Sequence, residues 1–323
     1  MSKRETPKEK QWFGDKPPLA LIAGPTASGK TALGVALAQA LDRRGAPSVV
    51  VNADSAQVYR DLEVLSARPT GHEMDGVPHR LFGAWDGAAA CSAADWANAA
   101  RREIENAHLA GQVPILVGGT GLYMRTLLDG IAPVPAIDPA VREAVRAMPQ
   151  PRARAALEAE DPCAAARLAP ADRSRTLRAL EVVRSSGRTL AYWQEEKAGG
   201  IAPDVALHPL VLLPEREGLY ARCDRRFELM LENGAVDEVE ALLARDLDPA
   251  LPVMRAIGVP EIAALLRREM TREDAIAAGA AATRRYAKRQ YTWFRNQPPP
   301  DWPRVSEQPD VDAWADAIVG SGD

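Results

Sequence analysis

An α/β fold, with a parallel sheet covered by helices on both faces and a helical insertion domain, is predicted by three features of this 323-residue chain. Short apolar runs alternate with stretches of helical apolar spacing through the first part of the chain, which implies crossover connections and strands buried on both sides. The first of these runs leads into a glycine-bearing turn that opens a helix. From Gly130 to Asp204 strand-like runs are absent, and the residues are Ala, Arg and Glu at helical spacing.

Residues 1–18 are polar, carry Pro7, Pro17 and Pro18, and read as a loose arm. Leu19 to Ala23 is a buried-strand run, Gly24 to Lys30 a turn, and Thr31 to Leu41 a helix with Leu33, Ala36, Leu37 and Ala40 on one side. Ser48 to Asn52 reads as a second strand, Ala93 to Ala110 as a helix, and Val113 to Val117 as a third strand running into Gly118-Gly-Thr-Gly121. Residues 130–204 form the insertion, with Leu177, Leu180 and Val183 at helical spacing. Val205 to Leu213 returns to the sheet, where Pro209 suits an edge better than the centre. The catalytic core is therefore expected over 19–129 and 205–297. Pro298, Pro299 and Pro300 end the last helix, and the acidic tail, 298–323, is expected to be peripheral.

Composition narrows the function classes. With 46% apolar and 26% charged residues the chain is neither disordered nor collagen-like. No apolar run spans a bilayer, and Leu19 to Ala23 is too short for a signal-peptide core, so a cytoplasmic location is expected. Cys91, Cys163 and Cys223 lie far apart and share no short spacing with the four histidines, which points to reduced thiols and no zinc cage. A net charge of −4 argues against coating nucleic acid through bulk charge, leaving only a local basic surface.

Gly24-Pro-Thr-Ala-Ser-Gly-Lys-Thr31 matches the phosphate-loop pattern G-x-x-x-x-G-K-[ST] and sits between a strand and a helix, as a P-loop NTPase-like sheet requires. Glycines let successive amides face one oxyanion, the helix turns its positive end to the same point, Lys30 adds a cation, and Thr31 can hold Mg²⁺. The pattern alone does not say whether the phosphates belong to ATP. Val113 to Val117 ends in Gly118-Gly119, without the metal-holding acid that nucleotide hydrolases carry at such a strand end. The acid at a comparable place is Asp54, expected to reach the loop from the neighbouring strand, either to orient a metal or to take a proton. Gly118 to Gly121 is either a tight turn or a further set of amide donors with the Thr120 hydroxyl.

Thr283 to Arg295 holds five basic residues, four aromatic rings and no acid. On a helix Arg284, Lys288 and Arg295 form a cationic stripe beside Tyr291, with Tyr286 and Trp293 better suited to the core. Arg173, Arg175, Arg178, Arg184 and Arg188 form a second cluster with Asp172 and Glu181 as local counter-charges. Two basic helices on an otherwise acidic protein suggest a focused RNA surface.

Gly24 to Thr31, Asp54-Ser-Ala-Gln-Val-Tyr-Arg60, Gly119-Thr-Gly-Leu-Tyr123, Arg178-Ala-Leu-Glu-Val182, Arg255-Ala-Ile-Gly258 and Arg284 to Arg295 together resemble the bacterial tRNA dimethylallyltransferase family, from about Leu19 to Arg295. The resemblance implies transfer of a dimethylallyl group from dimethylallyl diphosphate to N6 of the adenosine 3′ of the anticodon, with Mg²⁺, by a monomer. It implies that Gly24, Pro25, Thr26, Ala27, Ser28, Gly29, Lys30 and Thr31 hold the diphosphate, that Mg²⁺ sits on Thr31, and that Arg125 is a further diphosphate candidate. Asp54, Thr120 and Lys30 would be catalytic, Asp54 accepting the amine proton. Asp54, Ser55, Ala56, Gln57, Ser174, Arg175, Arg178, Arg255, Gly258, Lys288, Arg289, Gln290, Trp293 and Arg295 fall where the family contacts tRNA. The chain departs from the family pattern at Arg80, at Ser66-Ala-Arg-Pro69, at Ser174 in place of Gln and at Val259 in place of Tyr. A phosphate-loop kinase of a small metabolite, an isopentenyltransferase of free adenine nucleotides and an RNA-binding NTPase are the alternatives; ATP turnover, substrate size and the Arg284–Arg295 motif separate them.

Overall fold

The computed structural model describes residues 15–320. The arm expected over residues 1–18 lies outside the described residues as far as residue 14. The strands are β1 (Pro18–Ala23), β2 (Ser48–Asn52), β3 (His79–Arg80), β4 (Val113–Gly118), β5 (Ala206–Leu212) and β6 (Arg304–Val305). They form one six-stranded sheet in the order β3-β2-β4-β1-β5-β6, with every pair parallel. The helices of the first half are α1 (Lys30–Asp42), α2 (Gly71–Met74), α3 (Ala93–Leu109) and α4 (Gly121–Asp129). Those of the insertion are α5 (Pro139–Arg146), α6 (Gln150–Glu160), α7 (Pro162–Arg167), α8 (Arg173–Ser186) and α9 (Leu190–Gln194). After β5 come α10 (Arg216–Glu232), α11 (Ala235–Leu243), α12 (Val259–Leu266), α13 (Arg272–Asn296) and α14 (Val311–Val319).

Every residue of β1, β2 and β4 is buried, which explains their unbroken apolar runs. Ala20, Ile22, Val50, Ile115, Val117, Leu210 and Leu212 meet Leu33, Leu37 and Leu41 of α1 on one face. Residues of opposite parity, such as Leu21, Val51 and Leu116, are equally buried, and α3 packs on β2 and β4. Helix starts follow local chemistry: Ser92 and Asp95 form a capping box at α3, and Thr271 caps α13. Pro209 pairs with Leu21 of β1, while β6 reaches only Val211 and Leu212 of β5. Val211 and Leu213 donate outward to the β6 side, so Pro209, two residues before Val211, lacks its N–H where no outer strand needs it.

Two compact units divide the chain. One joins the residues up to Leu127 with those from Ala202 on, and the other is Leu128–Ile201. Within the smaller unit, Val145, Ala153, Leu157, Ala165, Ala179 and Leu180 form a core of their own. No helix among the described residues is long and apolar enough to cross a membrane.

The C-terminal stretch corrects the expectation of a peripheral tail. Arg304–Val305 closes the sheet edge, and Ala315 and Ile318 of α14, 0% and 3% exposed, enter the α1 core. Its acids have a use as well, since Asp312 and Asp316 take Arg44, just after α1, at 2.8 and 2.6 Å. Ile318→Ala should therefore cost about 2–5 kcal/mol, read as a lower urea midpoint; an unchanged midpoint would put α14 outside the core.

Candidate active site

The phosphate loop leaves β1 and enters α1 through two left-handed residues, Ala27 (φ 60°) and Gly29 (φ 90°). This curls the chain so that its amides and the α1 N-terminus face inward. Lys30 is 9% exposed, and its Nζ donates to the Pro25 carbonyl at 2.6 Å. Burial pushes its pKa down to about 8, Arg226 adds to that effect, and Asp54 and Cys223 oppose it. The Ser28 hydroxyl is buried with no partner. A buried orphan donor beside a desolvated ammonium fits an anion oxygen.

Two arginines of α10 complete this cradle, and sequence reasoning missed both. Arg226 donates to the Thr26 hydroxyl, and Arg222 Nε donates to the Ala27 carbonyl at 2.8 Å. With Arg225 they stand at i, i+3 and i+4 and line a cavity of about 510 Å³ together with Lys30 and Thr31. That spacing was the available signal. Arg125, by contrast, is exposed on α4 and lines neither this cavity nor the next, so the structure does not bring it to the phosphate loop.

A second cavity, of about 320 Å³, has apolar walls from Leu62, Leu65, Tyr123, Phe227, Met230 and Ile257. Thr26, Asp54, Ser66 and Arg226 line both cavities. Asp54 thus stands on the wall between a cationic chamber and an apolar one. It does not come from the strand next to β1, since β4 lies between β1 and β2. The crossing is possible because β4 ends without side chains. A Cβ on Gly118 would lie 2.2 Å from the Ala53 backbone, and one on Gly119 would lie 3.2 Å from both Asp54 Oδ2 and the Gly24 carbonyl. The Thr120 N–H bonds the Ala53 carbonyl, so this turn serves packing, and that amide is not offered to an anion.

Asn52, fully buried, holds the acid in place. Its Oδ1 accepts from Asp54 N at 2.9 Å, and its Nδ2 donates to the carbonyls of Asp54 and Leu81. Asp54 Oδ1 accepts from Ala56 N at 3.0 Å. Next to it, Thr120 Oγ1 accepts from Ser55 N at 2.9 Å and donates to Ser55 Oγ at 3.2 Å. The Tyr286 hydroxyl joins this pair, and burial, reinforced by the Asp54 charge, raises its pKa and keeps the phenol neutral.

For Mg²⁺, the hard oxygens lining the cationic chamber include the Thr31 hydroxyl and the carboxylates of Asp54 and Glu73. No cluster of three or more His, Cys, Asp or Glu that could cage a metal occurs among the described residues. One or two protein oxygens supplemented by substrate phosphates is the pattern Mg²⁺ favours, so the residues fit it.

The residues expected to meet RNA divide into two groups. Lys288, Arg289 and Arg295 are exposed on α13, with Arg289 lying over the Tyr286 ring at 5.7 Å. Arg284 is paired with Asp224 of α10, so the stripe is not free of acid. Gln290 is 6% exposed and bonded to Thr26 N and the Gly119 carbonyl, and Trp293 packs on Gly121 and meets Phe294 edge-on at 4.9 Å. These two side chains face the interior because the helix turns them towards the β4 turn. Gln57 Nε2 bonds the Ser66 and Ala67 carbonyls, Ser55, Ala56 and Arg255 line the apolar cavity, and Gly258 begins α12 at φ 97° over Leu65 and Phe227. In the insertion, Ser174, Arg175 and Arg178 are exposed on α8. Arg175 bonds Asp172 at 3.1 Å, Arg178 lies 3.7 Å from Glu181, and Arg184 pairs with Glu160 at 2.5 Å.

Lys30 makes a pH prediction. Between pH 8 and its ordinary 10.5 the unfolded chain holds a proton that the folded chain has lost, so stability should rise with pH by on the order of 3 kcal/mol from this group. Lys30→Met should remove that component from the difference in unfolding free energy; equal slopes for both proteins would contradict the buried amine.

Residues 57–297 match the family model described as IPP transferase, and residues 17–88 match that described as Isopentenyl transferase. The chain is 69% identical over 301 residues to the tRNA dimethylallyltransferase of Erythrobacter litoralis, covering 93% of this chain and 94% of the relative. It is 51% identical to that of Zymomonas mobilis subsp. mobilis, covering 94% of each. Among solved structures, the full-length tRNA isopentenylpyrophosphate transferase of Bacillus halodurans is similar with a TM-score of 0.66 and 34% identity, over 95% of both chains. A eukaryotic dimethylallyltransferase acting on tRNA is similar with a TM-score of 0.78 and 26% identity, over 94% of this chain and 77% of that one. A family model matched over most of the length, and relatives this similar from end to end, place the chain in the tRNA dimethylallyltransferase family of IPP transferases.

Proposed function

We propose that this chain transfers a dimethylallyl group from dimethylallyl diphosphate to N6 of the adenosine 3′ of the anticodon in tRNA and releases diphosphate. The carrying observation is the pair of cavities, one cationic and one apolar, with Asp54 on their common wall. Lys30, Arg226 and the Ser28 hydroxyl receive the diphosphate oxygens, where negative charge grows as the C1–O bond breaks. The N6 amine forms the new bond to C1, the diphosphate leaves with the electron pair, and the amine proton passes to the Asp54 carboxylate. Thr31 would hold Mg²⁺, which would supply further charge neutralisation for the leaving group, and Asp54 is kept for the proton. The apolar walls keep water from the reacting carbon. An adenine stacked in an anticodon loop cannot reach so deep a wall, so the base enters splayed out, beside the Thr120, Ser55 and Tyr286 hydroxyls. Lys288, Arg289 and Arg295 on α13, and Ser174, Arg175 and Arg178 on α8, are the groups proposed to meet the RNA backbone and loop.

The test is incubation with dimethylallyl diphosphate, Mg²⁺ and unmodified tRNA, followed by nucleoside mass analysis. Adenosine carrying one dimethylallyl group is expected; unmodified tRNA alongside consumed ATP would favour a kinase. Asp54→Ala should lower turnover by about 10²–10⁴ while tRNA still binds, and unchanged turnover would remove Asp54 from the chemistry. Lys288→Ala should weaken tRNA binding and reduce the slope of log K against log salt by about one. A slope equal to the parent's would take Lys288 off the RNA.

A further inference from the structure

Gln290 lies in the basic, aromatic segment whose composition points to RNA, yet its amide works inside the protein. Its Oε1 accepts from the Thr26 N–H and its Nε2 donates to the Gly119 carbonyl, each at 2.8 Å. The side chain is 6% exposed and fits against Gly119 so closely that a Cβ there would lie 2.4 Å from Nε2. Thr26 belongs to the phosphate loop and lines both cavities, and its hydroxyl takes Arg226 of α10. Thr26 is therefore held through its backbone by α13 and through its side chain by α10.

We infer that Gln290 is a positioning residue for the diphosphate cradle, tying the phosphate loop after β1 to the turn after β4 through α13. An amide accepts from an N–H and donates to a carbonyl at once, and it does so without needing a proton from solution. An apolar side chain leaves both main-chain groups buried and unmet, and a loop containing an unpaired Thr26 N–H relaxes towards any partner it can find. Ser28 and Lys30 follow Thr26 in that loop, so the orphan hydroxyl and the ammonium move with it. The inference rests on the reading of this loop as the diphosphate site.

The experiment measures inorganic diphosphate binding with Mg²⁺ by calorimetry, tRNA binding by filter retention, and thermal unfolding, for the parent, Gln290→Met and Gln290→Glu. In Gln290→Met the Kd for diphosphate should rise about tenfold, the scale of an unmet buried hydrogen bond, while the Kd for tRNA stays within about twofold and unfolding stays cooperative. In Gln290→Glu burial raises the carboxyl pKa, and the protonated acid can again accept from Thr26 and donate to Gly119. Its deficit relative to the parent should therefore shrink as pH falls. Diphosphate affinity unchanged in Gln290→Met, with tRNA affinity lost, would overturn the inference in favour of an RNA contact. Loss of both affinities in step with the unfolding temperature would overturn it in favour of a purely structural role. A parent with no affinity for diphosphate would overturn the reading of the site itself.

Discussion

Three strand ends have to converge, and the one in the middle, β4, has to end without side chains of its own for the site to assemble. β4 lies between β1, which carries the phosphate loop, and β2, which carries Asp54. Asp54 reaches the loop only by passing over the end of β4, and Gly118 and Gly119 leave the space for it. The Thr120 N–H and the Ala53 carbonyl then lock β2 to β4, while Gln290 bonds the β4 turn to Thr26. The missing acid at the end of β4 and the presence of an acid after β2 are two sides of one arrangement.

The cradle is built before its ligand arrives. Burial around Lys30 and Arg226 disfavours a cation, and on the proposed reading a diphosphate relieves that cost while taking the Ser28 hydroxyl. The opposite side of the Asp54 wall is different in kind. Leu62, Leu65, Phe227, Met230 and Ile257 give it apolar walls, the Tyr286 phenol stays neutral, and among the described residues Asp54 is the carboxylate that lines it. A chamber lined by cations and a chamber with apolar walls that meet at Asp54 suit displacement of a charged leaving group by a neutral amine.

What the sequence discloses follows the range of the interactions. The phosphate loop, β1, β2, β4 and α3 are legible because spacing and burial pattern set them locally. Asp54 is legible as a strand-end acid, but its path over β4 is not, since strand order is a long-range property. The tail reads as peripheral because its few apolar residues look weak alone; Val311, Ala315 and Ile318 stand at helical spacing, and their partner is α1, far away in the chain. Gln290 shows the opposite difficulty, because a basic motif discloses its composition but not which polar residues its helix turns inward, whereas Trp293 packs inward as its ring suggested. Arg226 looks like any charged helical residue until α10 is placed beside the loop.

The most direct test of the central claim follows phosphorus. In a reaction of enzyme, dimethylallyl diphosphate, Mg²⁺, ATP and unmodified tRNA monitored by phosphorus NMR, inorganic diphosphate should form in equal amount to modified adenosine, only when tRNA is present, with ATP left intact. Orthophosphate or ADP accumulating from ATP, or diphosphate released without any change in the tRNA, would contradict a cradle built for a prenyl donor.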